Sequence, residues 1–304
     1  MKTEIINKEN FLKCGYALLQ ESIPTEILNR FRSIADEIEA KALEYYKQGD
    51  TLSGACVIED SVGPRLMRFD DLHFHYTDDL NRLLATPVFL KLIKELCGST
   101  AIILQADILY KHQHPHPVVK WHQGAPNDPN HAYLNIGIYL DDSDLNDGCL
   151  RYVPATHTEL QDIESIERDY GWNPPNVVQV PAKAGNVMVQ EMMVLHSSEP
   201  KRSPGARRTI YVEVRPYAAT LEDGKQDEHW IELRRLWMGE ILKNDIEGVF
   251  TDKEKAFFGG NAGLSAHELM KEITEHRCPP IPAVYNYKPT KGPDYPIPAD
   301  LAAY

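Results

Sequence analysis

A chain of 304 residues, 42% hydrophobic and 25% charged, has the make-up of a soluble globular protein and is long enough to bury a large core. Its 45 acidic residues outnumber the 32 Lys and Arg, and a formal charge of −13 argues against a nucleic-acid backbone as partner. No apolar run approaches the roughly 20 residues of a bilayer-spanning helix, and the polar start Met1–Asn10 has no secretory core, so a cytoplasmic protein without membrane contact is expected.

The first periodic element runs from Pro24 to Tyr46, where Ile27, Leu28, Phe31, Ile34, Ile38 and Leu43 recur at helical spacing. A second helical stretch is expected from Asp78 to Cys97, stopped by Gly98 and open to division at Pro87. The character then changes. Ala101–Tyr110, Ala132–Leu140, Cys149–Val153, Asn186–Leu195 and Thr209–Val214 are short, β-prone and separated by turn-formers such as Asn146-Asp147-Gly148 and Ala184-Gly185. After Pro216, Glu228–Leu242 and Ser265–His276 read as helices, and the tail from Pro279 has no periodicity.

This order predicts a mainly β protein with flanking helices (α+β) and a jelly-roll core. Its expected organisation is one catalytic domain: a helical flank over 1–100, the core over 101–217 and a helical extension over 218–304. The five cysteines are scattered and include no CxxC pair, which suggests neither a disulfide framework nor a zinc knuckle.

Chemistry concentrates in three words: Lys120-Trp121-His122-Gln123-Gly124, then Asn146-Asp147-Gly148-Cys149-Leu150 leading to Val153-Pro154-Ala155-Thr156-His157, then His196-Ser197-Ser198 with Arg207 eleven positions later (207 − 196). In this order, over roughly Gln105 to Pro216, they resemble the phytanoyl-CoA dioxygenase-like family of iron and 2-oxoglutarate oxygenases. The resemblance implies a double-stranded β-helix of the cupin kind, with Fe(II), 2-oxoglutarate, dioxygen and a small-molecule substrate. Two distant histidines beside strands, His122 and His196, suit such a metal, which needs imidazole and carboxylate ligands and leaves positions open. A guanidinium pairs with a carboxylate in bidentate fashion, so Arg207 is the expected clamp for the far end of 2-oxoglutarate. Its neighbour Arg208 competes, because adjacent strand residues face opposite sides. By the same resemblance, Ser198 and Lys111 touch the co-substrate.

One position departs from the pattern. Where the family places a ligating Asp, two residues after the first His, stands Gly124. The resemblance extends to a minority of radical halogenases with His-x-Gly or His-x-Ala, in which chloride takes the place of the missing carboxylate. An anion there also preserves charge balance around the metal. The expected function is therefore halogenation of an unactivated C–H bond. Two other readings stand beside it: a hydroxylase, with an altered Asp-to-Gly position or recruiting Asp128, and a metal-free binding protein. Phe69, His73, Trp230, Arg234 and Trp237 are candidates to line a substrate site. His73-Phe74-His75, on a possible strand, and His112 to His116 more simply suit substrate contact or plain surface than a second metal.

Overall fold

In the computed structural model the described residues are 5–20, 23–60, 62–113, 119–128, 130–260 and 263–277. The tail from Pro279, His114, His116 and Cys278 fall outside them. Eleven strands form among the described residues: β1 (Tyr16–Leu19), β2 (Ala55–Asp60), β3 (Gly63–Phe69), β4 (Ala101–His112), β5 (Val119–His122), β6 (Leu134–Tyr139), β7 (Leu150–Val153), β8 (Val178–Val180), β9 (Val187–Glu191), β10 (Leu195–Ser198) and β11 (Ala206–Pro216). A seven-stranded sheet has the order β1-β9-β6-β11-β4-β3-β2, and a four-stranded sheet the order β5-β10-β7-β8. All pairings between these strands are antiparallel. The two sheets form the expected jelly roll, with helices against the outside of the larger one.

The helix Thr25–Lys47 buries Leu28, Phe31, Ile34, Ala35, Ile38 and Ala42, a stripe at spacings of three and four. The Tyr110 hydroxyl on β4 donates to the Ala35 carbonyl at 2.9 Å. Pro24 lies one position ahead of the first turn, with extended backbone, rather than inside it. The stretch 78–97 divides where expected: Thr77–Leu84 ends, Thr86 is extended before the proline, and Pro87 opens the helix Pro87–Cys97. Gly98 caps that helix at φ 81°, a conformation glycine adopts without strain.

Three expectations need correction. The first hundred residues are not purely helical, because β1, β2 and β3 lie in them and join the large sheet. Asn186–Leu195 is not one strand. β9 belongs to the large sheet and β10 to the small one, and Met192–Val194 forms the corner between them. His73 and His75 sit on the short helix Leu72–His75, not on a strand, so they do not share a strand face. Among the described residues no helix is long and apolar enough to cross a membrane.

Glu191, at the end of β9, carries a partly buried carboxyl whose pKa desolvation raises to about 7. The native protein therefore holds this proton between about 4.3 and 7, where an unfolded chain releases it, and stability drains away as the pH rises through that window. Glu191→Gln should stabilise the protein at pH 8 by at least about 1 kcal/mol and by progressively less toward pH 4, as read from urea midpoints. A gain independent of pH would contradict this origin.

Candidate active site

β5 and β10 are paired so that His122 and His196 lie directly opposite one another, with ring centroids 4.0 Å apart. The histidines are locked in the same way. Nδ1 of His122 donates to the Lys120 carbonyl at 2.8 Å, and Nδ1 of His196 donates to the Val194 carbonyl at 2.7 Å. Each bond reaches back two residues and leaves Nε2 with a lone pair, the form that binds a metal. Burial, and for His122 then also the second imidazole, depresses both pKa values, that of His196 to about 4. Both rings are thus neutral donors at ordinary pH.

Gln123, between His122 and Gly124, holds this edge in place. Its amide nitrogen faces the carbonyls of Met193 at 2.6 Å, Glu159 at 3.0 Å and Thr156 at 3.1 Å. Its oxygen accepts from the Gln161 backbone at 2.7 Å. From the large sheet, Gln190 places Nε2 3.1 Å from His196 Nε2, while its oxygen accepts from the Tyr152 hydroxyl at 2.6 Å.

Two co-substrate candidates, Arg207 and Lys111, stand on the facing sheet, and the third, Ser198, is on β10 with His196. Alternate residues of β11 point into the sandwich: Arg207, Thr209, Tyr211, Glu213 and Arg215. Arg207 stands opposite Lys111 of β4. The Arg207 Nε and Nη1, the Lys111 Nζ and the Ser198 Oγ are all buried without a hydrogen-bond partner. Burial, reinforced by the Arg207 charge, pushes the Lys111 ammonium well below its ordinary pKa. Two buried basic side chains have orphaned donors, and a carboxylate end of 2-oxoglutarate would satisfy them and favour the charged form of Lys111. Arg208 faces the other way. It is held by Asp141 at 2.8 Å and by Asp36 of the helix Thr25–Lys47.

Gly124 lines the same cavity of about 150 Å3 as His122, His196, Ser198 and Arg207. Its N–H donates to the Met192 carbonyl at 2.8 Å. A Cβ at Gly124 would fall 2.4 Å from Met192 Cγ and Sδ and 2.7 Å from the Met192 oxygen. The stem of a carboxylate ligand is thus excluded by a thioether and a backbone carbonyl at the β9–β10 corner. Among the described residues no group of three or more His, Cys, Asp and Glu is placed to hold a metal. Asp128 is exposed and bonded to Asn130, so it does not stand in for the missing carboxylate. Among the described residues no carboxylate joins the two imidazoles as a third donor.

The sequence profile of the phytanoyl-CoA dioxygenase (PhyH) family matches residues 11–209. The chain belongs to that family. It is accordingly a non-haem iron(II) and 2-oxoglutarate-dependent oxygenase, and the buried imidazole pair and the orphaned cations fit those two partners. A stretch of 173 residues is 28% identical to a methylphosphonate hydroxylase of Gimesia maris, covering 52% of this chain and 63% of that protein. A probable alpha-ketoglutarate-dependent hypophosphite dioxygenase of Stutzerimonas stutzeri is 21% identical over 223 residues, 67% of this chain and 76% of that protein. Among solved structures, AviO1 from Streptomyces viridochromogenes Tue57 has the same fold, with a TM-score of 0.57 at 23% identity over 69% of this chain and 94% of that one. EctD from S. alaskensis, solved with bound Fe, gives 0.57 at 17% identity over 72% and 80%.

Sequence reasoning missed Gln190, Met192, Asp107 and Glu213, all of which line the cavity. One signal was available for Glu213: the alternation of polar residues after Arg207 continues through Thr209, Tyr211 and Glu213 to Arg215. Of the substrate candidates, His73, Trp230, Arg234 and Trp237 line a second cavity, whereas Phe69 packs in the hydrophobic core.

Proposed function

We propose that this oxygenase is a radical halogenase that replaces hydrogen by chlorine on an unactivated carbon of a small metabolite. The observation that supports it is the pair His122 and His196 with no carboxylate of the described residues placed to complete a metal site with them, and Met192 packed where one at position 124 would be rooted. In this reading the Nε2 atoms of His122 and His196 hold iron. Arg207, Lys111 and Ser198 bind the distal carboxylate of 2-oxoglutarate, and chloride takes the coordination position beside Gly124. When bound, iron(II) with 2-oxoglutarate and dioxygen supplies an oxidant able to remove hydrogen from an unactivated carbon. Two neutral imidazoles bring no charge to a divalent metal, so an anion at the Gly124 position restores the balance that a carboxylate ligand gives. Substrate C–H, chloride, a proton, 2-oxoglutarate and dioxygen are consumed, and C–Cl, succinate, carbon dioxide and water are formed.

Replacing His122 or His196 by Ala should abolish stoichiometric iron(II) binding and the weak visible band of the iron–2-oxoglutarate complex. Unchanged affinity in both variants would remove these residues from the site. The function itself is tested by offering small charged metabolites with iron(II) and 2-oxoglutarate in chloride, bromide and halide-free buffer. A chlorine isotope doublet in the product, replaced by a bromine doublet in bromide, is expected. The named relatives include a hydroxylase, and a product hydroxylated equally well with and without halide would favour that second reading instead.

A further inference from the structure

The cavity that holds His122, His196 and Gly124 shares Arg68, Gln105, Asp107 and Glu213 with a larger one of about 270 Å3. That volume is below the usual range for drug-sized ligands and suits a small metabolite. The charges lining it are sorted along its length. At the shared end stand three carboxyls, Asp70, Asp107 and Glu213, with Arg68 among them. The Arg68 Nε lies 2.5 Å from Asp70 and 3.1 Å from Asp107. Glu213 receives neutral donors, the Gln105 amide at 2.7 Å and the Tyr133 hydroxyl at 2.8 Å. Burial raises the pKa of all three carboxyls, that of Asp107 to about 7, against the pull of Arg68.

The balance reverses at the far end. Arg215 at 2.7 Å and Lys225 at 3.1 Å both draw on the single carboxylate of Asp223. Arg215 is 3% exposed and lies 4.6 Å over the Tyr133 ring, and its Nε is buried without a hydrogen-bond partner. A buried guanidinium N–H left unsatisfied at a cavity wall is a place for an acceptor on a ligand. Two further cations line the cavity away from this pair: Arg234, stacked 3.7 Å over Trp230, and Arg277, which is held by Asp71 and acts on Asp70. Glu213 and Arg215, two residues apart on β11, mark the transition from one sign to the other.

We infer that the larger cavity is the substrate chamber and takes a small dipolar metabolite. Its cationic group sits against Asp107 and Glu213 beside the metal, and its carboxylate or phosphate sits against Arg215 and Lys225. This rests on the oxygenase reading of the neighbouring site for the word substrate, but the binding itself does not depend on metal or halide. Both ends of the ligand are fixed by opposite charges, which leaves the carbons near the cationic end presented to the metal.

The test is calorimetric titration of the metal-free protein, so that its outcome is separable from that of the halogenase reading. The probes are the free amino acids from glycine to lysine and arginine, phosphoethanolamine and phosphocholine. Controls are the amino-acid methyl esters, which lack the anion, and, for the amino acids with uncharged side chains, the Nα-acetyl derivatives, which lack the cation. Amino-acid binding assigns the anion as carboxylate, and phosphoethanolamine or phosphocholine binding assigns it as phosphate. At least one dipolar probe should bind, with single-charge analogues weaker by more than tenfold. Arg215→Gln should weaken that probe by about tenfold and leave its analogue without the anion unchanged, while Arg215→Lys retains binding. Asp107→Asn, an isosteric change, should weaken the same probe and leave the analogue without the cation unchanged. The inference is overturned if no dipolar probe binds, if analogues with one charge bind as well, or if a folded variant weakens every probe alike. Should the Arg215 variants fail to fold, the comparison of probes on the wild-type protein decides alone.

Discussion

Arg207→Ala should lower the affinity for 2-oxoglutarate by well over tenfold, measured by titrating the iron-loaded protein without oxygen. The guanidinium is buried, two of its nitrogens lack partners, and no ion pair with a carboxylate of the described residues occupies it. Removing one member of such a desolvated charge pair costs about 2–5 kcal/mol, because the other is left buried and unpaired. Arg208→Ala is the control. Its guanidinium is engaged by Asp141 and Asp36 on the outer side of the sheet, so it should cost stability and leave affinity near that of the wild type. The reverse ranking would place the clamp on the wrong face of β11.

Gly124→Asp should abolish halogenation. The new carboxylate would fill the coordination position that the proposal gives to chloride, and its Cβ collides with Met192 Cγ, Sδ and backbone oxygen. Overpacking of this kind typically costs 1–3 kcal/mol, so a fall in melting temperature should accompany the loss. Met192→Ala in the same chain relieves the side-chain clash but not the one with the carbonyl. Recovered hydroxylation is therefore expected to be small, since an incoming ligand also needs partners that orient it. A Gly124→Asp enzyme that still chlorinates would contradict the proposed role of this position.

Much of this architecture was readable from local pattern. The helix after Pro24, the division at Pro87, and β4, β6, β7 and β11 follow from apolar spacing and turn residues, which act within a few positions. β1, β2 and β3 were not readable, because Tyr16–Leu19 is four residues long and Gly63-Pro64 opens β3 with poor strand formers. Their strand state comes from pairing, β1 with β9, β3 with β4 and β2 with β3, a tertiary effect. The Met192 corner was hidden inside Asn186–Leu195, an apolar run whose division between two sheets has no local signal.

The site shows the same contrast. His122, His196, Ser198, Lys111 and Arg207 stood out because motifs and offsets mark them, and the fold brings them around one cavity or its wall. On β11 Arg207 lines the cavity, while Arg208 pairs with Asp36 and Asp141 on the other side. Gln190 and Asp107 lie in strands that read as ordinary sheet, and their importance comes from what faces them across the sandwich. The sorting of charge along the second cavity joins residues from Arg68 to Lys225 and exists only in three dimensions.

The most direct test of the role given to Gly124 is a chloride titration of the oxygen-free iron(II)–2-oxoglutarate complex, followed by its visible spectrum. A saturable shift that Gly124→Asp removes is expected. A spectrum unmoved by chloride, in a protein that binds iron and 2-oxoglutarate normally, would contradict a halide position beside Gly124 and leave the oxygenase without its proposed halogen chemistry.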